Sequence, residues 1–63
     1  MFSVEVTHFN KSGVAVRVDT ETKGSKKACE KFIENFVIPP GCTSVEFITK
    51  HGDSEIAFSS KEL

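Results

Sequence analysis

The residues able to carry chemistry are few and scattered: His8, Cys29, Cys42 and His51, the turn His51-Gly52-Asp53-Ser54, and the lysines Lys23, Lys26 and Lys27. Zinc sites draw pairs of ligands two to four residues apart, whereas these histidines and cysteines all stand alone. They read as two ordinary histidines near turns and two reduced thiols, with no metal and no cofactor implied. His51, Asp53 and Ser54 include the residue types of a hydrolase triad, but triads are assembled from separate elements and a tight turn splays neighbouring side chains. A Gly-Asp turn between two strands accounts for them more simply. No cysteine is activated by its sequence surroundings, and a domain with one helix has little room for a substrate pocket. The reading is a protein that is not an enzyme.

Lys23, Lys26 and Lys27 flank Gly24-Ser25 where a helix should begin. Lysine in a first turn opposes the helix dipole, at roughly 0.3–1 kcal/mol per charge. An anion site built from backbone N–H groups and ammoniums would explain the cluster, and so would a solvated basic turn. It is not a P-loop, since no glycine lies five residues before Gly24 and serine follows it.

The element that must position these groups is the stretch Ser25–Val37. Its apolar residues Ala28, Cys29, Phe32, Ile33, Phe36 and Val37 draw one stripe along a helix and fit no strand. Thr22 or Ser25 can cap its start, Pro39-Pro40-Gly41 ends it, and Asn35 or Phe36 should be its last residue. Before it, Phe2, Val4 and Val6 alternate with Ser3, Glu5 and Thr7, as in a half-buried strand. Asn10-Lys11-Ser12-Gly13 is a turn, and Val14, Val16 and Val18 alternate with Ala15, Arg17 and Asp19 in a second strand, so the pair is a hairpin. Asp19–Gly24 is polar and should leave the sheet. After the helix, Val45 and Phe47 mark a third strand and Ile56 and Phe58 a fourth, joined through His51–Ser54.

These elements predict one α+β domain over residues 1–63, with a single helix on a mainly antiparallel four-stranded sheet in the order ββαββ. The helix should face Phe2, Val4, Val6, Val14, Val16, Val18, Val45, Phe47, Ile56 and Phe58. The other sheet face should carry Ser3, Glu5, Thr7, Arg17, Glu46 and Lys50 with Phe9, Ala15, Ile48 and Ala57. No second helix is left to cover it, so that face is the expected docking surface.

Length and charge bound the partners. Sixty-three residues lie near the lower limit for an unassisted core, so a net stability of a few kcal/mol is expected. A formal charge of −1 gives no whole-chain attraction to nucleic acid or an anionic membrane. Single-strand binders present exposed rings among basic residues, whereas five of the six phenylalanines fit the core stripe and only Phe9 looks free. No apolar run approaches the roughly 20 residues of a membrane span. Met1–Glu5 lacks the basic start and apolar run of a signal peptide. With reduced thiols, this points to the cytoplasm.

The order hairpin, polar loop, helix, and then Phe36-Val37-Ile38-Pro39-Pro40-Gly41 leading into a strand resembles the very small bacteriophage early proteins, such as the host RNA polymerase inhibitors of T7-like phages. Those have a similar length and strand–strand–helix–strand organisation, with an aromatic-aliphatic-proline-x-glycine step after the helix. The likeness covers residues 13 to 50. It implies a compact protein that acts by binding a host protein in the host cytoplasm. The family docks through arginines on the strand after that glycine, and Val45–Thr49 holds none, so no binding residue carries over. On the residues themselves, the expected contacts are Phe9, Arg17, Glu46, Ile48 and Lys50, with Lys23, Lys26 and Lys27 as a second, anion-binding surface. The alternative is a small nucleic-acid-binding protein using Lys11, Arg17, Lys50 and the lysine cluster. A homodimer closing two open sheet faces on each other is a third arrangement.

Overall fold

The computed structural model describes all residues, 1–63. Four strands and one helix follow in the order β1 (Phe2–Phe9), β2 (Ala15–Lys23), α1 (Lys26–Glu34), β3 (Ser44–His51) and β4 (Ser54–Glu62). They form an α+β domain with one antiparallel sheet, ordered β2-β1-β3-β4, and α1 against one face.

Local chemistry sets the joints. The Asn10 Oδ1 accepts from the backbone N–H groups of Ser12 and Val14 at 2.9 and 3.1 Å, which folds the first turn on its own side chain. Gly13 closes it with φ 79°, and Gly52 turns β3 into β4 with φ 62°. Ser25 is the N-cap, its hydroxyl accepting from the Ala28 N–H at 3.1 Å. The helix stops at Glu34 with Asn35 as C-cap. β2 runs on to Lys23, so the polar stretch after Asp19 stays in the sheet instead of leaving it.

The core sits between α1 and the two central strands. Val4 and Val6 of β1, Val45 and Phe47 of β3, and Cys29 of α1 are fully buried, with Phe2, Phe32, Ile33, Phe36 and Ile38 packed around them. Phe36 ties the helix end to the sheet, its ring 5.2 Å from Phe47 and 5.7 Å from Phe32, both edge-on. Lys61 on β4 adds a polar tether, its Nζ donating to the carbonyls of Glu34 at 2.8 Å and Phe36 at 3.1 Å. Two carbonyls at and just past the helix C-terminus thus gain a cationic donor.

The edge strands correct the expected faces. Across β1–β2, Val4 lies opposite Glu21, Val6 opposite Asp19 and His8 opposite Arg17. The charged residues of β2 therefore share the helix side, and Val18, opposite Thr7, lies on the other face. A bulge at His8/Phe9 accommodates Val16 as an extra residue. Val14, Val16 and Val18 are all exposed rather than under the helix. On β4, Phe58 lies opposite Ile48 on the open face, and Ile56 is the extra residue of a second bulge. Neither is in the core, and Ala57, opposite the buried Thr49, is on the helix side. The physical reason is width: a helix about 10 Å across cannot cover four strands spaced about 4.8 Å. Helix-side positions on the edges stay wet and are filled by Arg17, Asp19, Glu21, Ser59 and Lys61.

Candidate functional site

The sheet face away from α1 is uncovered, and the strand register lays it out in rows. Ala15, Phe9, Ser44 and Glu62 form the first row, and Val18, Thr7, Glu46 and Ser60 the second. Thr20, Glu5, Ile48 and Phe58 form the third, and Thr22, Ser3, Lys50 and Glu55 the fourth. Phe58 is 69% exposed, Val18 58% and Val16 53%. The apolar residues collect in two clusters, Phe9 with Ala15 and Val18 on the β2 side, beside the exposed bulge residue Val16, and Ile48 with Phe58 on the β4 side. Between them runs a polar strip of Thr7, Glu46, Glu5 and Lys50. Lys50 Nζ stands 3.6 Å from Glu5 Oε2, a partly exposed ion pair across neighbouring strands.

Of the expected contacts, Phe9, Glu46, Ile48 and Lys50 do share this face. Arg17 does not. It lies opposite His8 on the helix side and holds Asp19, Nε to Oδ2, at 2.8 Å. Phe58 belongs to the face and was expected in the core, so the surface carries two exposed or half-exposed rings rather than one.

The lysines at the helix start are mostly engaged. Lys23 sits 5.0 Å above the Phe32 ring and 3.9 Å from Glu21, and Lys26 is 4.0 Å from Glu30. Lys27 is exposed. Among the residues considered for nucleic acid, Arg17, Lys23, Lys26 and Lys50 each have a carboxylate within 4.0 Å. The positive charges are therefore interleaved with negative ones, and no basic track forms.

The histidines and cysteines stay apart, and no three His, Cys, Asp or Glu residues gather as metal ligands do. Cys29 is buried, Cys42 half-buried, and both are free thiols. His51 stacks flat on Phe2, centroids 4.2 Å apart. His8 is not a surface residue: it is 5% exposed, beneath Phe36, with Nε2 3.3 Å from Asp19 Oδ2 and Nδ1 without a partner. Its parity with Val4 and Val6 was the signal that placed it inside.

A groove of about 270 Å³ opens where α1 stops short of β4, lined by Lys26, Glu30, Ile33 and Glu34 of the helix, Thr49 of β3, and Ala57, Phe58 and Ser59 of β4. No helix is long and apolar enough to cross a membrane. No protein-family model matches the chain, and no match to it is found among curated proteins or solved structures.

Proposed function

We propose that this protein is a small non-enzymatic binding module that acts on another protein through its open sheet face. The observation that carries the reading is the composition of that face. Phe58, Val18 and Val16 are exposed next to half-buried Ile48 and Phe9, although every core position is already filled. Folding alone does not account for apolar side chains on the wet side of both edge strands. A centre of Glu5, Glu46 and Lys50 between two apolar clusters gives such a face the charges that fix orientation and the apolar area that supplies affinity.

The likeness to small phage early proteins makes a host enzyme, RNA polymerase or a component of a defence system, the partner class of choice, with inhibition or modulation in the host cytoplasm as the outcome. The test is capture of host proteins on the immobilised chain, with Ile48→Asp as control. Ile48 is half-buried on the open face, so a carboxylate there, opposite Glu5, repels an apolar partner surface while leaving the core intact. One stoichiometric partner retained by the wild type, lost in the variant and little affected by salt supports the reading. Retention of nucleic acid instead, with affinity falling log-linearly with salt, overturns it.

A further inference from the structure

We infer that β4 pairs with the β4 of a second copy of this chain, antiparallel about a two-fold axis at Phe58, to make one continuous eight-stranded sheet. This does not depend on the partner proposed above. The backbone directions carry the argument. The Leu63 N–H donates to the Thr43 carbonyl at 3.0 Å, one step beyond the facing pair Ser44 and Glu62. The same alternation follows from the Gly52 N–H on the Met1 carbonyl at 2.8 Å, which turns the even-numbered residues of β3 to β1. Ala57, Ser59 and Lys61 therefore spend their backbone groups on β3, and Phe58, Ser60 and Glu62 point theirs at the free edge.

The two free edges differ in protection. On β2 the side chains alternate Arg17, Asp19, Glu21, Lys23, and charge is how natural sheets blunt an edge. On β4 the run Ile56-Ala57-Phe58-Ser59-Ser60 has no charge, proline or glycine. Its register with β3 is unbroken from Ala57 to Glu62. Such a run at an edge is a pairing template.

Self-complementarity selects the second copy as occupant. Pairing over the uncharged run Ile56–Ser60 puts Phe58 on the axis, opposite its own copy, the arrangement in which cross-strand aromatic pairs stabilise. Ile48 and Phe58 of each copy then form one apolar strip. The run so paired carries no charge, so no like charges meet within it. Full-length self-pairing of β2 would instead set Asp19 against Asp19. The two open faces end on the same side of the joined sheet, so the surface is doubled rather than covered.

The experiment is sedimentation velocity from roughly 10 μM to 1 mM, a range suited to an edge contact smaller than a standard interface, with amide exchange read at both ends. The wild type should move from the 6.9 kDa monomer toward twice that mass. The Phe58 and Ser60 amides should exchange more slowly as the dimer forms. Ser60→Pro removes an outward N–H that β3 does not use, so it should remain a folded monomer by circular dichroism. Phe58→Lys is the second variant, also a monomer, should proline disturb the strand. A wild type that stays monomeric to 1 mM overturns the inference. So does a dimer that both variants leave intact, which would place the contact elsewhere on the sheet.

Discussion

The two phenylalanines Phe47 and Phe58 test the assignment of faces. They look alike in sequence, each inside an alternating strand, yet Phe47 is 1% exposed and Phe58 69%. Phe47→Ala removes a fully buried ring and its edge-on contact with Phe36, and Phe-to-Ala in a core costs about 3–5 kcal/mol. That equals or exceeds the net stability expected for so short a chain, so the variant should be largely unfolded at 25 °C. Phe58 has buried about a third of its surface, and a third of a full side-chain transfer is roughly 0.5–1 kcal/mol. Phe58→Ala should therefore stay folded, with a slightly lower urea midpoint. With no Trp and no Tyr in the chain, far-UV circular dichroism against urea is the assay. A Phe58→Ala variant that loses more than about 2 kcal/mol, or a folded Phe47→Ala, would refute the layout of both strands.

Other positions give separate checks on stability. Lys61→Met removes the donor on the Glu34 and Phe36 carbonyls and should cost about 1 kcal/mol while speeding amide exchange at the end of α1. Gly52→Val forces a β-branched residue to φ 62° in a two-residue hairpin turn; a loss of about 1–2 kcal/mol by urea denaturation is expected. His8→Leu deletes the unpartnered Nδ1 from the core and leaves Asp19 held by Arg17. It should be neutral or stabilising, because an unsatisfied buried atom costs about 1–3 kcal/mol, and a fall in melting temperature would show that the imidazole is needed.

The elements themselves were legible because each rests on local chemistry. The 3.6-residue stripe from Ala28 to Phe36, the Ser25 cap, and the glycines Gly13 and Gly52 need no knowledge of the rest of the chain. What alternation cannot say is which of a strand's two faces meets the helix. For β1 and β3 the apolar parity is the buried one, and His8 and Thr49 follow it inside. For β2 and β4 the apolar parity is the wet one. Two bulges, at His8/Phe9 and Thr49/Lys50, shift the register by a residue each, and a shift of one moves every side chain to the other face. Neither bulge has a sequence mark as plain as a glycine. Arg17 and Phe58 were misplaced for this one reason.

The inversion at the edges bears on function. A short helix cannot roof all four strands, so an edge strand with apolar residues on the helix side would leave most of them in water, and β2 and β4 put charge and serine there. That explains the polar half of each edge strand but leaves Val16, Val18, Ile56 and Phe58 exposed. A domain this small gains nothing in stability from leaving them exposed. Val18 and Phe58 also lengthen the open face sideways from Thr7 and Ile48 on the central strands. The surface is thus broadest where the fold is least able to use it, and narrow and charged at Glu5, Glu46 and Lys50. A second molecule laid on it would meet apolar flanks with a charged strip between them, the reverse of the apolar centre and polar rim of a usual interface, so it would have to bring charges that match Glu5, Glu46 and Lys50.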